Sequence, residues 1–156
     1  MSDNTSMDIR RYRSDDLEQI ARLFYETVHA VNRRDYTARQ LDVWATGEIN
    51  HRAWDASLLD HLTYVATEGS LVIGFGDIDV TGYLDRLYVH KDFQGRGVAT
   101  AICDRLESET SAGRVVVHAS ITARPFFEKR GYKTIKPQEV ERQGIILRNY
   151  LMAKDL

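Results

Sequence analysis

The run Leu84-Asp85-Arg86-Leu87-Tyr88-Val89-His90-Lys91-Asp92-Phe93-Gln94-Gly95-Arg96-Gly97-Val98-Ala99-Thr100 concentrates the residues whose types and spacing could do chemistry. An extended apolar stretch passes through a polar loop into Gln94-Gly95-Arg96-Gly97, which opens a helical pattern. Glycine lets the backbone bend sharply and bring its N–H groups close to a ligand. The first N–H groups of a helix have no partner inside it, and with the partial positive charge there they form an anion site. Arg96 adds a full positive charge beside them. The ligand of this loop is therefore expected to carry phosphate.

Two familiar phosphate loops fail on spacing. A Walker loop needs a Gly-Lys pair before Ser or Thr, and the chain has no Gly-Lys pair. A dinucleotide fingerprint needs a third glycine, where Thr100 stands, and an acidic residue about 20 positions further on. Residues 114–118 hold no carboxylate.

The other reactive side chains read as structural. Cys103 lies beside the Ile102 and Leu106 stripe, the position of a small buried hydrophobe rather than of an acyl-carrying nucleophile. His29, His51, His61, His90 and His118 form no His-x-x-x-His pair, so no metal site is expected. His118 ends an extended run and reads as structural, and Arg33-Arg34 as a solvated helix end.

The elements that must position the loop follow from periodicity. An expected strand covers 7–12, and Ser14 or Asp15 then caps a helix, with Asp15 and Glu18 spaced as a capping box. Leu17, Ile20, Ala21, Phe24, Val28 and Val31 recur every three or four residues as one buried stripe. Two weaker helical patterns occupy 37–60, broken around Gly47 to Asn50. Strands are expected at 62–67, 70–80, 84–89 and 114–118, with a helix over 97–112 between the last two. A short helix over 122–130 ends at Gly131, and strands over 132–140 and 145–153 complete an α/β layout. Residues 1–6 read as a disordered tail and 7–156 as one domain.

Composition narrows the partners. The chain is 43% hydrophobic, with 21 Lys and Arg against 23 Asp and Glu. That balance lacks the basic excess of a nucleic-acid binder. The longest apolar run, Leu71 to Gly76, is too short to span a membrane, and the polar N-terminus is unlike a signal peptide. A single cysteine excludes a disulfide framework. A cytoplasmic location is expected.

The glycine loop resembles the acetyl-CoA motif of the GCN5-related N-acetyltransferases, Gln/Arg-x-x-Gly-x-Gly/Ala, met by Gln94, Gly97 and Ala99. Leu87-Tyr88-Val89 is similar to the strand before that loop. The block from Ser120 through Ala123, Phe126 and Phe127 to Gly131-Tyr132 is similar to the family's Asn-x-x-Ala-x-x-Phe-Tyr-Glu-Lys-x-Gly-Phe. The resemblance covers 83–132 well and the first third only in outline, and within the family it is to small bacterial-type members.

The resemblance implies a mixed central sheet of about seven strands, helices on both faces, and splayed fourth and fifth strands. Acetyl-CoA would be the co-substrate, its pantetheine pairing with the backbone of Leu87 and Val89 alongside Tyr88. Its pyrophosphate would sit on Gly95, Arg96, Gly97, Val98 and Ala99 near Thr100, with Gln94, Ser120, Ala123 and Phe127 also at the cofactor. A backbone N–H at Leu87 or Val89 would stabilise the oxyanion while an amine attacks directly.

The sequence departs from its relatives at the acid and the base. Phe127 stands where the family often has a proton-donating tyrosine, and Tyr83 where many members have glutamate. Strand alternation puts Tyr83 and Asp85 on the face of Leu87, with Asp77 and Asp79 on the neighbouring strand. Asp77 or Asp85 is the candidate base, directly or through water, and Tyr83 or Tyr150 the candidate acid. His29, Asn32 and Tyr36 are candidate contacts for a small-molecule or peptide amine, with Trp44 and Trp54 either walls of that site or core. A CoA-binding or sensing module without turnover, or transfer of another acyl chain or to another acceptor, are the alternatives. A nucleotide-dependent enzyme stands further off, and a homodimer is compatible with such a fold.

Overall fold

The computed structural model describes residues 7–156, so the expected tail at 1–6 lies outside the described residues. Seven strands form one mixed sheet in the order β1-β2-β3-β4-β5-β7-β6. They are β1 Met7–Arg11, β2 Leu62–Glu68, β3 Leu71–Ile78, β4 Tyr83–Val89, β5 Arg114–Ser120, β6 Lys133–Arg142 and β7 Ile145–Asp155. Five helices flank them: α1 Leu17–Val31, α2 Ala38–Trp44, α3 His51–Asp60, α4 Val98–Glu109 and α5 Arg124–Lys129.

Two cores sit on opposite faces of the sheet. On one, α1 buries Ile20, Leu23, Phe24 and Val28 with Leu41, Leu58, Val65 and Phe75. On the other, Val98, Ile102 and Leu106 of α4 pack with Ile73, Leu84, Val117, Phe127 and Met152. Burying a side chain of this size contributes roughly 1.5–3 kcal/mol, so both helical layers are held mainly by apolar contact.

Several boundaries differ from the expected ones for visible reasons. Neither Ser14 nor Asp15 caps α1: Asp16 takes that corner, accepting from Arg13 N at 2.9 Å and from both terminal nitrogens of Arg10 at 2.8 Å. The Arg10 fork holds the Asp16 carboxyl below its ordinary pKa against the opposing effect of burial. Strand β3 stops at Ile78 rather than at 80, because Asp79 Oδ1 accepts from Thr81 N, Thr81 Oγ1 and Tyr83 N and closes a turn. Asp79 thus lies in that turn and not on the strand. Helix α4 ends at Glu109, ahead of residue 112.

The parallel pair β4–β5 is the break in the sheet. It is registered only at Tyr83↔Val116 and Leu84↔Val117, after which the two strands part. Beyond that point β5 pairs along its length with β7, and β4 with β3, so neither collapses into the gap.

Helix α4 approaches β3 unusually closely. A Cβ at Gly74 would lie 2.8 Å from Val98 Cγ1, and one at Gly76 3.0 Å from Ile102 Cγ2. The C-terminal half of α4 is fixed by Glu107, which accepts from Arg130 Nε at 2.7 Å, Lys154 Nζ at 2.8 Å and Tyr132 OH at 2.8 Å. Val98 is the first residue of α4, so crowding at Gly74 displaces the glycine loop itself. Gly74→Ala is expected to cost about 1–3 kcal/mol by overpacking. Thermal melts should therefore fall by about 2–4 °C for each kcal/mol, with a parallel loss of affinity for the acetyl-CoA that the resemblance implies.

Candidate active site

Where β4 and β5 separate, a cleft of about 400 Å³ opens. Its walls include Leu87, Tyr88 and Val89 of β4, Gln94, Gly95, Gly97, Val98, Ala99 and Thr100 of the loop and helix, and Ser120 and Ala123 beyond β5. The sequence thus identified most of one wall. Gly95 and Gly97 adopt φ of +74° and +79°, the left-handed conformation that glycine takes without penalty. Gly97 occupies the N-cap of α4 and no side chain caps that helix, which leaves the first-turn N–H groups to the cleft.

The edge of β4 supplies a second set of backbone groups. His90 N donates to Ile73 O of β3 at 2.8 Å. N–H and C=O groups alternate sides along a strand, so those of Leu87 and Val89 face the gap. The Val89 carbonyl already accepts from Thr27 Oγ1 at 2.9 Å and Gln94 Nε2 at 2.8 Å. Gln94 therefore ties the loop back to the strand. Thr27 and Phe126, both on the cleft wall, were not singled out from the sequence. A threonine set between Phe24 and Val28 on an apolar helical stripe was the signal for the first.

Other candidates fall elsewhere. Arg96 is not on the cleft wall; its guanidinium lies 4.9 Å from the Phe93 ring. Phe127 is 2% exposed and packs edge-on against Phe126 and Tyr132, so Phe126 takes the wall position. Asn32 is buried on the wall of this same cleft. Tyr36 OH donates to Arg148 O at 2.6 Å and accepts from Ile121 N at 2.9 Å, clamping the end of β5 to β7. His29 Nε2 lies 2.8 Å from Ala45 O and joins α1 to the end of α2. Cys103 is buried, which pushes its thiol up to about 12, far from a thiolate nucleophile.

The expected shared face of Tyr83, Asp85 and Leu87 is not found. Asp77 pairs with Arg86 but Ile78 with Leu84, so Asp85 is the extra residue of a β-bulge. The bulge shifts the alternation: Leu84, Leu87 and Val89 face the α4 side, whereas Tyr88 joins the α1 side. Tyr83 meets His118 edge-on at 5.1 Å. Tyr150 packs in the α4-side core with Arg124 at 4.2 Å from its ring, apart from Tyr83. Burial, with Asp85 close by, raises the Tyr83 phenol, which stays protonated at neutral pH.

The two candidate carboxylates have different surroundings. Asp77 is 0% exposed, and its Oδ2 accepts from Arg86 Nη1 at 2.5 Å and lies 2.7 Å from His61 Nδ1. The hydrogen bond to Asp77 raises the His61 pKa above its usual value. Asp77, His61 and Asp85 bring their donor atoms within 4.8 Å of one another, and the Arg86 guanidinium supplies the positive charge there. Asp85 lines a second, larger cleft of about 680 Å³ with Trp44, Trp54, Arg86 and Tyr88. Tyr88 belongs to both clefts and accepts from Trp44 Nε1 at 3.2 Å. Both tryptophans thus wall a site while packing against the core.

The sequence and the fold are similar to those of known proteins. The model of the acetyltransferase (GNAT) domain family matches residues 32–154. The chain is 33% identical over 147 residues to the Escherichia coli (strain K12) protein named uncharacterized N-acetyltransferase YafP, covering 94% of this chain and 95% of that one. A crystal structure of a GCN5-related N-acetyltransferase from Rhodopseudomonas palustris, also described as an aminotransferase, class-II, superposes with a TM-score of 0.91 and 32% identity. That likeness covers 97% of this chain and 96% of the other. The PaiA N-acetyltransferase of Thermoplasma acidophilum, solved in complex with coenzyme A, shares the fold with a TM-score of 0.76 at 16% identity over 97% and 99% of the two chains. The chain belongs to the GNAT family and is an acetyltransferase.

The His61–Asp77 contact gives a pH-dependent prediction. A histidine whose pKa is raised on folding contributes stability that is complete below about pH 6.5 and fades as pH rises through the folded-state value. Melts of wild type and His61→Gln should differ most at mildly acidic pH and converge in alkaline buffer.

Proposed function

We propose that residues 7–156 act as one acetyltransferase domain, in the cytoplasm, that moves the acetyl group of acetyl-CoA to a primary amine by direct attack. The observation that carries this reading is the uncapped N-terminus of α4, entered through left-handed Gly95 and Gly97, beside the unpaired edge of β4. The coenzyme A bound by the Thermoplasma relative supports the choice of co-substrate. The diphosphate would accept hydrogen bonds from the N–H groups of 95–99, with Thr100 in reach. Pantetheine would extend along β4 as a further strand and use the Leu87 N–H and C=O and the Val89 N–H, the Val89 carbonyl being taken by Thr27 and Gln94.

The chemistry asks little covalent work of the protein. The amine nitrogen attacks the thioester carbon, the carbonyl becomes an oxyanion held by a β4 N–H, and the C–S bond breaks to release the thiolate. A model thiol pKa of about 8.5 lets that thiolate leave with modest help. Tyr83, like Asp77, lies on neither cleft wall. Asp85 accepts the proton lost by the amine, directly or through water. Asp77 lies on no cleft wall and is held by Arg86 and His61, so it is a positioning residue for Arg86.

Gly97→Val places a β-branched residue at a φ of +79° in open space. It should cost about 1–2 kcal/mol of stability. In calorimetry its acetyl-CoA affinity should fall by about tenfold or more, and unchanged affinity would contradict the diphosphate placement. Asp85→Asn should lower thiol release by about a hundredfold, and unchanged release in that variant would assign the base elsewhere. Binding of acetyl-CoA with no thiol released across an amine panel would favour a sensing module instead.

A further inference from the structure

The larger cleft identifies the acceptor more narrowly, provided that the acetyl-transfer reading above holds. We infer that it selects an aromatic primary amine carrying an anionic group such as a carboxylate. Its wall is a continuous set of rings: Phe24 lies 5.1 Å from Trp54 and 5.0 Å edge-on from Tyr88, and Tyr88 is bonded to Trp44. These rings, packed tilted and edge-on, give a planar guest a broad apolar surface, with the Arg86 guanidinium 4.5 Å over the Trp54 ring. A volume of about 680 Å³ suits a small molecule in an open cleft.

Charge on the wall sets the sign of the guest. Arg86 is already matched by Asp77, with Asp85 at 3.5 Å. Arg22 and Arg142 also line the cleft and make no hydrogen bond or ion pair among the described residues, against the single remaining carboxylate of Glu48. Arg142 lines the larger cleft together with Tyr88, the residue that the two clefts share. The wall carries three guanidinium groups, Arg22, Arg86 and Arg142, against two carboxylates, Glu48 and Asp85, and the two arginines without a side-chain partner can accept a carboxylate.

The reaction points the same way. An aliphatic ammonium with a pKa of about 10.4 must lose a proton before it can attack. An aromatic amine is already neutral near pH 7. The exposed Asp85 then has only to take the proton released as the C–N bond forms, after which the thiolate leaves as CoA. That matches a site whose other carboxylate, Asp77, is 0% exposed.

The chain's 2 tryptophans, Trp44 and Trp54, both line this cleft, so intrinsic fluorescence reports its occupancy. The full chain with CoA would be titrated with 4-aminobenzoate, aniline and spermidine, and thiol release measured with acetyl-CoA for each. The inference predicts quenching by 4-aminobenzoate and a kcat/KM about tenfold or more above aniline and spermidine. Arg142→Gln and Arg22→Gln should erode the preference for 4-aminobenzoate over aniline, with CoA titrations unchanged. Preference for spermidine, or equal use of aniline and 4-aminobenzoate, would overturn it. Quenching by 4-aminobenzoate with no thiol released from any amine would support the ligand class and refute acetyl transfer. Thiol release with other amines and no quenching by 4-aminobenzoate would do the reverse.

Discussion

The structure depends on an interruption of hydrogen bonding. Strands β4 and β5 share two registered pairs, at Tyr83 and Leu84, and then diverge, leaving β4 beyond that point without a strand partner on that side. An unpaired backbone edge is ordinarily a liability that proteins cover. Here it opens into a cleft whose far end is the uncapped start of α4. Both unsatisfied sets, strand edge and helix start, are donors or acceptors that a long, extended, anionic molecule can satisfy together.

The rest of the fold holds that interruption open. The absent side chains of Gly74 and Gly76 let α4 settle against β3, and the Glu107 contacts to Arg130, Tyr132 and Lys154 anchor its other half. Thr27 and Gln94 together satisfy the Val89 carbonyl and link α1, β4 and the loop. Tyr36 bridges Ile121 and Arg148 and fixes the opposite bank. A hydrogen bond of this kind contributes about 1 kcal/mol, and its larger effect is to give the cleft one shape.

Much of this was legible in the residues. The apolar stripe of α1, the left-handed glycines and the helix after them are local properties, and local spacing records them. The Asp85 bulge was not legible, because it depends on how β3 and β4 register, and it moved Tyr83 and Leu87 onto opposite faces. Phe126 and Phe127 are adjacent and alike in type, so only packing distinguishes the wall residue from the core residue. Asp77 reads as a free carboxylate in sequence because its partners, His61 and Arg86, are brought to it by two other elements. Tyr36 and His29 have polar groups suited to a ligand, and the fold uses those groups for its own contacts.

The central claim is that main-chain N–H groups at the start of α4 and along β4 grip the co-substrate. Amide proton and nitrogen shifts recorded while CoA is titrated into the labelled protein test it at individual residues. The account predicts that the largest changes fall on Gly95, Gly97, Val98 and Ala99, with Leu87 and Val89 following. Saturable binding that leaves those amides unmoved would contradict it.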